Sequence, residues 1–186
     1  MCTGNQCRSP MAEAFLGRRV AERGLDVTVT SSGLLPAGTP AADEVIDLMA
    51  ERGIDVTAHR SRTVDAGIID SADLILGMER HHLTELVAIT PEAYTRFFTL
   101  PEFVRRVEAL DPEETSGVDL ADIVTLIAET RGRRELLRIT VADEIPDPIG
   151  RSGKVFDRAA NDISSLVDRL ADALWPAPEP AHVGAD

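Results

Sequence analysis

The sequence predicts an α/β fold in which helices cover both faces of a parallel sheet. Two observations carry that expectation. Short apolar or alternating stretches of strand length recur at 26–31, 72–78 and 95–100. Segments with helical spacing of apolar residues separate them. In sheets of this kind ligands bind beyond the carboxyl ends of the strands.

Taken in order, a helix is expected over 10–24, where Met11, Ala14, Phe15 and Val20 lie near helical spacing and Pro10 suits the first turn. The alternation from Asp26 to Thr30 reads as a strand at 26–31, and a helix over 40–53 ends at Gly53. Ala72 to Met78 is a nearly continuous apolar strand, a helix follows over 79–89, and Thr95 to Leu100 is a further strand. Helical patterns at 101–109 and 117–138 fill the middle. The last helix runs over 153–174, with Val155, Phe156, Ile163, Leu166, Val167 and Leu170 on one face. The proline-rich stretch from Pro176 to Asp186 reads as a disordered tail.

Composition narrows the function classes. At 186 residues the chain is long enough for one domain with a sizeable core. It has no apolar run of membrane-spanning length and no visible signal peptide, so the expectation is a cytoplasmic protein. A formal charge of −13 disfavours nucleic acid and anionic membranes as partners. Residues 1–62 carry only −1 of it, so the first third is nearly neutral. Two cysteines in a non-secreted chain argue for chemistry rather than a disulfide scaffold.

The first nine residues hold that chemistry. Cys2-Thr3-Gly4-Asn5-Gln6-Cys7-Arg8-Ser9 places a cysteine, five residues, an arginine and a hydroxyl just before a helix. A thiolate nucleophile needs its pKa lowered from about 8.5, and a loop of N–H groups closing on a helix N-terminus lowers it. Arg8 offers a planar fork for two phosphate oxygens. Gly4 and Asn5 tolerate left-handed backbone.

The unbroken run from Cys2 through Arg8-Ser9-Pro10-Met11-Ala12-Glu13 resembles the signature of the low molecular weight protein tyrosine phosphatase family, which includes phosphoarginine phosphatases and a class of arsenate reductases. Ser31-Ser32-Gly33, His59-Arg60-Ser61-Arg62, Ala72 to Met78 and Ile145-Pro146-Asp147-Pro148 are similar to its later segments. The resemblance implies a flavodoxin-like three-layer fold with a four-stranded parallel sheet. It implies one phosphatase domain over 1–175, with a variable helical insertion at about 101–140 and the tail at 176–186. It further implies a metal-free, cofactor-free enzyme acting on a phosphorylated protein through a cysteinyl-phosphate. Cys2 is then the nucleophile, Arg8 and the loop Thr3 to Ser9 the phosphate cradle, and Asp147 the general acid. Ser9 donates to the thiolate; Asn5, Ser31 and His59 brace the loop.

Other features have plainer readings. Cys7 is either passive packing or a redox partner of Cys2. His81-His82, at a helix start, read as surface residues, and Gly150-Arg151-Ser152-Gly153-Lys154 lacks the spacing of a nucleotide loop. Arsenate reduction in the family needs two further cysteines, and none follows Cys7. The family's substrate slot is walled by aromatic residues after Asp-Pro, whereas Ile149-Gly150 stand there and Leu34-Leu35 follow Gly33. Gln6 matches neither the tyrosine nor the arginine branch, while Phe97 to Val104 is similar to a segment of the arginine branch. The primary expectation is phosphotyrosine, with phosphoarginine as the enzymatic alternative.

One expected element is missing. In the family a buried apolar strand feeds the loop, and here only Met1 precedes Cys2. Losing its five or six aliphatic side chains removes on the order of 10 kcal/mol, comparable with the stability of a whole domain. The expectation is therefore a start that is internal, a valine GTG codon read as an initiator. The alternative is a truncated, catalytically silent module that binds phosphorylated residues.

Overall fold

A computed structural model describes residues 1–131 and 143–176 of the chain. Helix α1 (Arg8–Glu22) buries Met11, Phe15 and Val20, and α2 (Asp43–Glu51) buries Val45, Leu48 and Met49. The five-residue α3 (Ala66–Asp70) was not legible from periodicity; it is held by its N-cap Asp65, whose carboxylate accepts the Ile68 N–H at 2.8 Å. Strand β1 (Ile75–Gly77) leads into α4 (Arg80–Ile89). A 3₁₀ segment, Pro91–Arg96, precedes β2 (Phe97–Thr99) and α5 (Leu100–Val107). After α6 (Leu120–Thr130), the 22-residue α7 (Gly153–Leu174) buries one face from Phe156 to Leu174.

Strands β1 and β2 pair in parallel, with Ile75 opposite Phe97, Leu76 opposite Phe98 and Gly77 opposite Thr99. Residue Met1 lies along the other side of β1: its amine donates to the Leu76 carbonyl, and its own carbonyl accepts the Met78 N–H at 3.0 Å. Cys2 then makes a parallel bridge to Gly33, and Gly33 another to Thr63. Thr63, Gly33, Met1–Cys2, β1 and β2 thus succeed one another across the molecule.

Alternation along the strands sends neighbours to opposite faces. Phe98, joined by Leu76, packs into a large core with Met11, Phe15, Met49, Phe103 and Ile163. Phe97, joined by Ile75, packs into a smaller one with Val64, Ile69, Leu83 and Leu86. Helices therefore cover both faces, as expected.

Where four strands were expected, the ladder among the described residues has two, plus the single-residue rungs at Cys2, Gly33 and Thr63. Residues 26–31 show the anticipated alternation, with Val27 and Val29 half-buried between exposed neighbours, but belong to no strand. Alternation reports which face is covered, not which backbone is paired. Just beyond them the Ser32 carbonyl accepts the Cys2 N–H at 3.4 Å.

The helix expected over 117–138 is present as α6; the part beyond Arg131 lies outside the described residues, as does the tail beyond Pro176. Among the described residues no helix is long and apolar enough to cross a membrane.

Candidate active site

The loop from Cys2 to Cys7 runs from the Met1–Cys2 rung into α1, at the end toward which β1 and β2 point their carboxyl termini. Its shape rests on Asn5, which has φ of 52°, a left-handed conformation that asparagine tolerates. Among the described residues, the N–H groups of Thr3 through Cys7 donate to no backbone oxygen. They are the orphan donors expected where a loop closes on a helix N-terminus.

A chain of hydrogen bonds ends on the thiol. Asn5 is fully buried; its Oδ1 accepts the Arg62 N–H at 2.8 Å, which fixes the amide's orientation. Nδ2 then donates to Ser9 Oγ at 2.9 Å and to Ser31 Oγ at 2.7 Å. The Ser31 hydroxyl in turn donates to the Glu13 carboxylate. Ser9 Oγ, already an acceptor, has its own proton free for Cys2 Sγ at 3.1 Å. The His59 imidazole donates from Nε2 to the Asn5 carbonyl at 2.7 Å, with Nδ1 facing Glu13 at 4.0 Å. Ser9, expected as the donor to the thiolate, and Asn5, Ser31 and His59, expected as the braces of the loop, are brought together. Glu13 was not singled out, although it sits one turn after Ser9 on the same face of α1.

Electrostatics favour a thiolate at Cys2. Burial pushes its pKa up, but the Ser9 hydroxyl and N–H, with Arg8, outweigh burial, and the net shift is downward. Cys7 moves the other way: burial, with Cys2 and Asp147 nearby, pushes its thiol up to about 12. One sulfur is poised to ionise and the other is held protonated.

Arg8 is 1% exposed, and its guanidinium is surrounded by acceptors. Nη1 donates to Glu79 Oε2 at 2.6 Å and to the Ile145 carbonyl at 2.7 Å, and Nη2 lies 3.0 Å from Asp147 Oδ2. Among the described residues its buried Nε has no hydrogen-bond partner. Asp147, 145 residues after Cys2, is thus brought onto the same arginine, with its carboxylate 41% exposed to the site mouth. Glu79 was missed in the sequence because a glutamate opening a helix looks like an ordinary cap, which it also is.

The remaining loop residues are tied in by their surroundings. The Thr3 carbonyl accepts N–H groups from Leu34 and Leu35 at 2.7 and 3.1 Å, and the Gln6 carbonyl accepts that of Ala42 at 2.9 Å. The Gln6 side chain folds back over Gly4.

His82 corrects the expectation of a surface residue: it has no exposed area, while His81 is half-exposed. His82 Nδ1 accepts the Glu79 N–H at 3.0 Å, so Nε2 carries the proton and meets Thr3 Oγ1 at 3.1 Å. Burial and the nearby His81, terminal ammonium and Arg8 push its pKa down to about 3. Glu79, His81 and His82 bring potential ligand atoms within 4.8 Å of one another. The tautomer makes His82 Nε2 a donor to Thr3 rather than a metal ligand.

Three comparisons set the chain among known proteins. The family model for low molecular weight phosphotyrosine protein phosphatase matches residues 1–138. The chain is 32% identical over 174 residues to a protein-arginine-phosphatase of Geobacillus stearothermophilus, covering 94% of this chain and 93% of that one. It is 32% identical over 117 residues to the low molecular weight protein-tyrosine-phosphatase Etp of Escherichia coli, covering 62% and 76%. Among solved structures, the YwlE arginine phosphatase, as a cysteine-to-serine mutant with a phosphorylated active-site serine, superposes with a TM-score of 0.70 at 25% identity over 93% of this chain and 91% of that one. The chain belongs to the low molecular weight phosphotyrosine protein phosphatase family.

Proposed function

We propose that the chain is a metal-free protein phosphatase that works through a cysteinyl-phosphate and acts on phosphotyrosine. The observation that carries this reading is the convergence on one loop of a stabilised Cys2 thiolate, the buried Arg8 and the Asp147 carboxylate 3.0 Å from it. The Cys2 thiolate attacks phosphorus in line with the leaving oxygen, forming the S–P bond as the P–O bond breaks. Arg8, through its unpartnered Nε and its outer edge, and the loop N–H groups of Thr3 to Cys7 hold the equatorial oxygens, where transition-state charge is spread. Asp147 protonates the departing oxygen. It then takes a proton from the water that cleaves the S–P bond. Ser9 holds the sulfur as a thiolate in both steps, and positive charge from Arg8 leaves no step that calls for a metal. The phosphorylated serine of the YwlE mutant supports the covalent intermediate.

The fold reading extends with it. Residues 1–175 form one phosphatase domain, the segment at about 101–140 being its variable helical insertion. Lanes through Gly33, Met1–Cys2, β1 and β2 are those of a four-stranded sheet. The protein works in the cytoplasm on phosphorylated proteins, with no cofactor, nucleic acid or membrane partner.

Aliphatic side chains stand at the mouth where the tyrosine phosphatases of the family have aromatic ones. Leu35 lies beside Gly4 and is 47% exposed; Ile149, 51% exposed, donates its N–H to Asp147 Oδ1 at 3.2 Å. They are placed to flank a phenyl ring as it enters. Phosphoarginine is the second reading, favoured because the similarity to the arginine phosphatase runs through nearly the whole chain. Turnover of a phosphotyrosine peptide beside a phosphoarginine peptide decides between them. Release of phosphate from the first supports the reading, and release from the second alone replaces the substrate. Binding of both without turnover would leave a silent phospho-residue module.

A further inference from the structure

The segment that carries Asp147 is held from behind as well as from the site. Asp143 is 4% exposed, and its Oδ2 accepts Arg80 Nη2 at 3.3 Å. Arg105 Nη2 reaches its two oxygens at 3.3 and 3.4 Å. Arg80 also lies 3.5 Å from Oε2 of Glu102, a carboxylate with no exposed surface. Glu102 is held on its other oxygen by Arg106 at 3.2 Å, with Arg131 at 3.9 Å. One residue beyond Asp143, Glu144 Oε1 accepts the main-chain N–H of Arg80 at 3.1 Å, an orphan donor in the first turn of α4. The Ile145 N–H donates to the Met78 carbonyl at 2.8 Å, and Asp147 then reaches Arg8.

We propose that Arg80 is a positioning residue for the general acid: its Nη2 and its main-chain N–H hold Asp143 and Glu144, so that Asp147 stands over the leaving oxygen. The proposal rests on the reading of Asp147 as that acid. Arg80 has no hydrogen bond or ion pair to Cys2, Arg8 or Asp147 and acts only through the backbone of 143–147. Its Nη2 alone joins two carboxylates on different elements, Glu102 of α5 at 3.5 Å and Asp143 at 3.3 Å. Adjacent residues at the start of α4 thereby divide the work. Glu79 orients the phosphate-gripping arginine, and Arg80 sets the segment that bears the acid. The same contacts give a role to α5. Its Glu102 and Arg105 back the stretch that bears the acid.

The test is the dependence of kcat/KM on the leaving group, because kcat/KM reports the step in which Asp147 gives its proton. Phenyl, para-nitrophenyl and dinitrophenyl phosphate form a series in which the leaving group needs progressively less protonation. The variants are Arg80→Met, Arg80→Lys and, as reference, Asp147→Asn. Expected is a loss of about tenfold to a hundredfold for Arg80→Met on phenyl phosphate and of less than about threefold on dinitrophenyl phosphate, the pattern of Asp147→Asn in milder form. Arg80→Lys, which keeps the charge and loses the guanidinium, is expected to steepen the series less, and it carries the test if the methionine variant does not fold. Equal losses across the series, as a purely structural residue gives, or no loss on phenyl phosphate, would overturn the proposal while a steep Asp147→Asn series leaves the acid in place. A flat Asp147→Asn series would remove the acid itself, and the proposal with it.

Discussion

Gly33 offers the sharpest perturbation of the loop. A methyl group at this position would stand 2.7 Å from the Thr3 carbonyl oxygen, 2.8 Å from the Asn5 nitrogen and 2.9 Å from the Cys2 carbonyl oxygen. Ordinary contact begins at 3.4 Å, so something must move by about 0.5–0.7 Å. Gly33 cannot retreat easily, since its N–H and carbonyl are pinned to Arg62 and Val64 at 2.8 Å each. All three obstructing atoms are main chain of the phosphate loop, so the loop takes up the shift and the Cys2–Ser9 bond is strained. Overpacking of this size costs about 1–3 kcal/mol, or roughly 4–8 °C in melting temperature at the middle of that range. A displacement near half an ångström at the nucleophile lowers kcat/KM by about tenfold or more. Hydrolysis of para-nitrophenyl phosphate by Gly33→Ala, beside a thermal melt, measures both. Gly17→Ala is the control: a methyl there meets nothing within 4 Å, and in the interior of α1 it is expected to raise stability by about 0.5–1 kcal/mol without touching activity. Activity of Gly33→Ala within twofold of the parent would refute the reasoning, because the loop would then not be seated on this glycine.

Further outcomes follow from the two sulfurs. Alkylation by iodoacetamide is expected to modify Cys2 with a midpoint below that of a free thiol, and to leave Cys7 unmodified until near pH 12 or unfolding. The linkage has opposite signs. Cys2, lowered on folding, contributes stability above the free-thiol value of about 8.5 that is lost as pH falls through its folded value. Cys7, raised on folding, contributes stability below about 8.5 that is lost as pH rises toward 12. Denaturant titrations of Cys7→Ser are therefore expected to show a shallower alkaline loss than the parent. Ser9→Ala removes one hydrogen bond to the thiolate, worth about 1.5–3 kcal/mol, and is expected to raise the Cys2 alkylation midpoint by about 1–2 pH units; an unmoved midpoint would show that Ser9 does not hold the sulfur.

The loop was legible because its residues are contiguous: the spacing from Cys2 to Ser9 is itself the chemistry. The bounds of α7 were equally plain, since 22 residues sustain one apolar stripe. Glu13, Glu79 and Arg80 were not legible, because charged residues near a helix start read as solvated or capping groups. Only the fold gives them partners, joining Glu79 to Arg8 from 71 positions away and Arg80 to Asp143 from 63. His82 escaped for the same reason: a histidine in the first turn of a helix gives no sign that Thr3 lies against it. At 26–31 the alternation was read correctly but the pairing was not, because pairing depends on the neighbouring lane rather than on the stretch itself.

The most direct test of Cys2 as nucleophile is to quench the protein in acid during turnover of para-nitrophenyl phosphate and locate the phosphoryl group by fragmentation mass spectrometry. The expected result is one phosphoryl group on Cys2, none on Cys7, and no turnover by Cys2→Ser. Turnover that survives Cys2→Ser, or a phosphoryl group on any other side chain, would contradict it.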